Sequence, residues 1–154
     1  MERIRIAVSS CLVGSPVRWD GGHKRSEVVA SLADRFDLVP LCPEVELGLG
    51  VPREPIELRG GRLVGVRSDR DLTDQMAELA ARRADELEAL GVAGVVLKKS
   101  SPSCGIHGTT GLFARILMGR LQRIPFEDED RLAEPAAQGA FVERVLAAAA
   151  SLRT

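Results

Sequence analysis

Apolar and polar positions alternate along the chain in two rhythms, and the change of rhythm marks out the elements. Ile4-Arg5-Ile6-Ala7-Val8 is a short run rich in branched apolar residues and predicts a strand. After a loop punctuated by Gly14, Pro16 and Gly21-Gly22, residues Val28, Val29, Leu32, Ala33 and Phe36 recur at three- and four-residue steps, which predicts a helix over 26–36. Leu38-Val39-Pro40-Leu41 reads as a second strand, interrupted by a proline that cannot donate to a ladder. Two strand-like runs around Gly60-Gly61 predict a hairpin. Leu72, Met76, Leu79, Ala80, Ala84, Leu87 and Leu90 then form the stripe of a long helix, with Asp71 or Thr73 as its cap and Gly91 as its stop.

The run 92–97 is almost wholly apolar, as expected of a strand buried on both faces of a parallel sheet. A helix over 111–121, a short strand over 123–126 and a last helix beginning near Pro135 complete the series. This alternation predicts an α/β fold, a single three-layer Rossmann-like domain with a mainly parallel sheet, spanning residues 1–154. The acidic run Glu127-Asp128-Glu129-Asp130 reads as a solvated face, and Lys98-Lys99 as a solvated pair.

Composition narrows the function classes. Of 154 residues 45% are apolar, which excludes disorder, and no stretch is long enough for a membrane span. A net charge of −1, with four Phe, one Trp and no Tyr, argues against intact nucleic acid as a partner. No P-loop, G-x-G-x-x-G, H-E-x-x-H or C-x-x-C pattern occurs. Three cysteines form an odd set in a chain that opens without a secretory leader, so the expected compartment is the reducing cytoplasm.

The positions of those cysteines carry the chemistry. Cys11, Cys42 and Cys104 each fall shortly past the end of a predicted strand, and in open α/β sheets the loops beyond the strand ends make the ligand crevice. A trio of thiolates on one edge predicts a metal site, with zinc, Cu(I) and an iron–sulfur cluster all compatible with soft sulfur ligands. His23 and His107 lie in Gly-rich loops and offer no evident fourth ligand. Glu44, two residues beyond Cys42, is the best acid–base candidate. Ser9, Ser10, Ser101 and Ser103 are placed to hydrogen-bond sulfur. Arg18-Trp19-Asp20-Gly21 is either a turn that faces substrate or a tight turn with its Trp packed on the core.

In order along the chain, Ser9-Ser10-Cys11-Leu12-Val13-Gly14, Arg18-Trp19-Asp20-Gly21, Cys42-Pro43-Glu44-Val45 with Gly48-Leu49, Pro52-Arg53-x-Pro55, Asp71-x-Thr73 and Ser101-Pro102-Ser103-Cys104-Gly105 resemble the thiouracil desulfidase family, and the stretch from Gly111-Leu112-Phe113-Ala114 through Ile124-Pro125-Phe126-Glu127 and Arg131-Leu132 resembles its thiouridine-desulfurising branch. The resemblance implies a [4Fe-4S] cluster held by Cys11, Cys42 and Cys104 with one iron open. It implies a non-redox conversion of C=S to C=O in a thionated pyrimidine, with release of hydrosulfide. It assigns catalysis to Glu44 and Ser101, and substrate binding to Ser10, Arg53 and Ser103. A non-turnover binding module and a Cys₃ zinc hydrolase are the competing expectations. The resemblance breaks between Gly105 and Gly111, where members of the family carry a longer segment with an aromatic–Asp–Gly element.

Overall fold

The computed structural model describes residues 3–107 and 110–153; Gly108 and Thr109 of the short 105–111 loop lie outside the described residues, as do Met1, Glu2 and Thr154. Strand β1 (Arg5–Ser9) runs into a 3-10 turn (Ser10–Val13), followed by helix α1 (Glu27–Ser31), a second 3-10 turn (Leu32–Asp34), strand β2 (Asp37–Leu41) and the short helix α2 (Pro43–Glu46). The hairpin β3 (Ile56–Arg59) and β4 (Arg62–Gly65) leads to helix α3 (Thr73–Ala89), strand β5 (Val95–Leu97), helix α4 (Leu112–Arg120), strand β6 (Phe126–Asp128), helix α5 (Glu129–Leu132) and helix α6 (Pro135–Leu152).

Four strands form one sheet in the order β2-β1-β5-β6, every pair parallel, and β3-β4 stands apart as an antiparallel pair. Because successive residues of a strand face opposite sides, each strand feeds two cores. Ile6, Val8 and Val96 join Val29, Phe141 and Val145 from α1 and α6. Ala7, Val95 and Leu97 join Met76, Leu79, Phe113 and Leu117 from α3 and α4. Two helical layers thus sandwich the sheet, as the alternation of elements predicts. Close packing of one layer depends on Gly94, where an added Cβ would lie 2.7 Å from Cγ2 of Val145.

Several expectations shift. The helix expected over 26–36 is α1 plus a 3-10 turn; tightening the end keeps both Leu32 and Phe36 buried as the chain turns into β2. Pro40 is accommodated because β2 is an edge strand. The last strand is not 123–126 but Phe126–Asp128, so the first half of the acidic run is not solvated: Glu127 and Asp128 are only 6% and 3% exposed, while Asp130 is exposed as expected. His107 lies 3.0 Å from Glu127, and Asp128 accepts the Arg131 N–H that opens α5. Lys98 and Lys99 are not a free pair either. Lys98 pairs with Glu129 at 3.0 Å and Lys99 with Asp130 at 3.2 Å, so the second half of the acidic run neutralises the end of β5.

Candidate active site

Parallel strands end on one edge, and that edge gathers the three cysteines. Cys11 lies in the 3-10 turn after β1, Cys42 directly between β2 and α2, and Cys104 in the loop after β5. All three border a single cavity of about 340 Å³, together with Ser9, Arg18, Trp19, Glu44, Arg53, Lys98 and Ser101. Cys11 and Cys104 are buried and Cys42 is half-buried. Burial pushes all three thiols above their ordinary value; the charge of Cys42 adds to the rise at Cys11, and those of Glu44, Cys11 and Cys42 to the rise at Cys104. The thiols thus stay protonated at neutral pH unless a cation takes the proton's place.

The loop that carries Cys104 is shaped by Ser101, whose Oγ accepts the N–H groups of Ser103 at 3.1 Å and Cys104 at 3.0 Å. This leaves the Ser101 hydroxyl proton available on the cavity wall. Ser9 accepts the Lys98 N–H at 2.9 Å and donates its own hydroxyl to the Cys104 sulfur. Gly111 is essential to the close fit of α4 on this loop: a Cβ there would fall 2.3 Å from the carbonyl carbon of Ser103.

Glu44 projects from the first turn of α2, and both its oxygens are held. Arg53 Nε donates to Oε1 at 3.0 Å, and Ser103 Oγ donates to Oε2 at 3.2 Å. The ion pair is well covered, the Arg53 side chain being 6% and the Glu44 side chain 15% exposed. Arg53 is itself anchored, its Nη1 donating to the Gly50 carbonyl and its backbone N–H to that of Trp19.

The structure brings Cys11, Cys42, Cys104, Glu44, Arg53 and Ser101 to one cavity. Two other sequence candidates sit behind it. Ser10 is buried with its hydroxyl committed to the Leu41 carbonyl, and Ser103, fully buried, reaches the site only through Glu44. Ser9, one residue earlier, lines the cavity. Sequence reasoning missed the tie between Glu44 and Ser103; no local pattern signals a contact between residues so far apart. His23 binds back to its own loop and His107 to β6, so neither faces the thiols.

Among the described residues, the one set of three or more His, Cys, Asp or Glu ligand atoms all within 4.8 Å of one another is His107, Glu127 and Asp128.

The chain is similar to known proteins in sequence and fold. It is 37% identical over 109 residues to the protein YbbK of Bacillus subtilis (strain 168), a match covering 65% of this chain and 72% of that one. The solved structure of TudS, a [4Fe-4S]-dependent thiouracil desulfidase, superimposes with a TM-score of 0.70 at 34% identity, covering 90% of this chain and 99% of that chain. The sequence profile of 2-thiouracil desulfurase matches residues 6–129, a span that begins in β1, ends at the start of α5 and takes in all three cysteines and Glu44. With four-fifths of its length inside that profile, the chain belongs to the 2-thiouracil desulfurase family and is by that membership a desulfidase.

Proposed function

We propose that this protein replaces the sulfur of a thionated pyrimidine with oxygen from water, releasing hydrosulfide, at a [4Fe-4S] cluster held by Cys11, Cys42 and Cys104. The observation that carries the reading is the sharing of one cavity by the three thiols and a doubly anchored carboxylate. The donor set fits such a group. It is all sulfur, it has three members, and all three border the same cavity. His23 and His107 are turned elsewhere, so neither histidine joins the donor set.

When bound, the cluster supplies a soft Lewis-acidic iron that matches a thiocarbonyl sulfur and makes it a better leaving group. The protein's own residues supply the rest. Glu44, fixed by Arg53 and Ser103, takes a proton from the attacking water and returns it to the departing sulfur or the ring nitrogen. The Ser101 hydroxyl is placed to donate to the developing oxyanion. Arg18 and Lys98, whose charges reach Cys11, favour the thiolate form of that ligand. Thiocarbonyl and water become carbonyl and hydrogen sulfide with no change in oxidation state, so no electron donor is needed.

The test uses protein purified and reconstituted without oxygen. Iron and acid-labile sulfide are counted against zinc, and sulfide release is measured from 2-thiouracil, 4-thiouracil and the corresponding thiouridines. The expected result is cluster iron with sulfide release from at least one of these. Cys104→Ala is expected to lose both. Zinc in place of iron supports a Cys₃ hydrolase instead, and a stable cluster with no sulfide release from any thionated base supports a binding module. Either outcome overturns the proposal, as does intact turnover in Cys104→Ala.

A further inference from the structure

The cavity has one aromatic side chain on its wall, Trp19, and it is the sole tryptophan of the chain. Its position is unusual for so large an apolar residue. It is 41% exposed, while Phe36, Phe113 and Phe141 are fully buried. That exposure does not come from a loose segment. The Arg18 carbonyl accepts the Gly21 N–H at 2.8 Å, and Arg18 N–H reaches the Gly22 carbonyl at 3.0 Å. Asp20 closes the turn on the Gly22 N–H at 2.8 Å, and the Trp19 carbonyl accepts the Arg53 N–H at 2.8 Å. The backbone of Trp19 is therefore tied directly to the arginine that holds Glu44, so the residue that carries the indole is anchored beside the carboxylate on the cavity wall.

From this placement we infer that the indole of Trp19 is the stacking platform for the substrate's pyrimidine ring, holding it flat while its sulfur points toward the thiols. The inference rests on the desulfidase reading for the identity of the ring. Stacking on an indole face tolerates any heterocycle of this size and is worth most where one side is already desolvated. A guanidinium accompanies it. Arg53, Lys98 and Lys99 are each paired with a carboxylate, but Arg18 is paired with none among the described residues, and it lines the same cavity. Its donors are free for an exocyclic oxygen of the ring. Trp19 is thus a substrate-binding residue that sets specificity for planar rings over open-chain thiocarbonyls.

A single tryptophan makes the test direct. Metal-free and reconstituted protein are titrated with uracil, which carries the ring without a reactive sulfur, and with thiourea, which carries the thiocarbonyl without an aromatic ring. Indole fluorescence is excited at the red edge of its band. Saturable quenching by uracil and none by thiourea is expected. In steady-state sulfide release, Trp19→Ala is expected to raise KM about tenfold or more, Trp19→Phe to restore it to within about threefold, and the loss to fall on KM more than kcat. Unchanged far-ultraviolet circular dichroism and cluster absorbance in both variants keep a folding defect from imitating the effect. Sulfide release with no saturable quenching and an unaltered KM in Trp19→Ala overturns the stacking role and leaves the desulfidase reading standing. Saturable quenching by uracil with no sulfide release from any thionated base upholds the platform and removes the desulfidase reading.

Discussion

Ser103, with no exposed surface, donates its hydroxyl to Oε2 of Glu44 at 3.2 Å and so joins the loop after β5 to the helix after β2. The two elements carry different thiols, Cys104 on one side and Cys42 on the other. The carboxylate is therefore positioned by the same loop that places a ligand, and movement of that loop moves both. Arg53 on the second oxygen leaves Glu44 without rotational freedom. A carboxylate held this way is aligned before substrate arrives, which is the condition for efficient proton transfer.

Glu44→Gln tests that role. The amide keeps the shape of the side chain and removes its capacity to accept a proton. Sulfide release is expected to fall by about 10²-fold or more, the usual range for loss of a general base. Iron content and visible absorbance are expected to match the parent, because no ligand is lost. Ser103→Ala is expected to fall only about fivefold to tenfold, the effect of one hydrogen bond to a charged group. Glu44→Gln protein as active as the parent would remove the carboxylate from the mechanism.

Arg53→Ala is a stability prediction. The Arg53–Glu44 pair is 3.0 Å long and largely shielded from water. Removing one member of a covered ion pair strands the other, at a cost of about 3–5 kcal/mol in stability. The urea midpoint of Arg53→Ala is expected to fall accordingly, and Glu44→Ala in the same background is expected to recover part of the loss. A double-mutant cycle on these variants gives the coupling directly; a coupling near zero contradicts the geometry.

The sheet and its two faces were legible in the sequence because they follow from local alternation. Ile6-Ala7-Val8 is an unbroken apolar run, which a strand covered on both faces requires, and the structure divides those residues between the two cores. The cysteines were legible as a group because strand ends in a parallel sheet share an edge. What was not legible depends on partners distant in sequence. Glu127 and Asp128 have the composition of a solvated run, yet His107 and the start of α5 give them partners and let them lie in a strand. The adjacent serines after Ala7-Val8 pose a similar problem. Ser9 ends β1 and faces the cavity, whereas Ser10 begins the 3-10 turn and faces Leu41, a division set by one residue of backbone geometry. The turn at Trp19 has two readings in the sequence, and the exposure of the ring counts against the one that packs it on the core.

Asp71 gives a pH dependence with a definite sign. Hydrogen bonds from Arg62 first, and from Thr73 at the start of α3, lower its carboxyl from an ordinary value of 3.8 to about 2. A group whose folded value is depressed stabilises the fold above its unfolded value, and that contribution disappears as pH falls through the folded one. The Asp71 contribution is thus complete above pH 4 or so and lost as pH falls toward about 2. Because the carboxylate is exposed to solvent, the effect is expected to be modest. Asp71→Asn protein is expected to show a flatter decline of denaturant midpoint across that window than the parent. Parallel declines in the two proteins would show that Asp71 contributes nothing to acid sensitivity.

Gly111, which caps the start of α4, and Gly119, inside it, make a matched pair. At Gly111 an added Cβ meets backbone, 2.3 Å from the Ser103 carbonyl carbon, 2.4 Å from its oxygen and 2.7 Å from the Cys104 nitrogen. Backbone cannot swing aside as a side chain can. Moreover, this loop is fastened to α4 by the Leu112 N–H to Pro102 and the Ala114 N–H to Ser103. Gly111→Ala must therefore displace the Cys104 loop or the helix start. It is expected to lower thermal stability and, by moving Cys104, to reduce iron bound per protein on reconstitution. At Gly119, inside the same helix, nothing lies within 4 Å of the added atom. There alanine is expected to stabilise by about 0.5–1 kcal/mol through its better helix propensity, with iron content unchanged. Thermal melts and iron analysis on the two variants separate a general tolerance of the helix from a specific demand of the ligand loop. Equal behaviour of the two would show that close approach at Gly111 does not hold Cys104 in place.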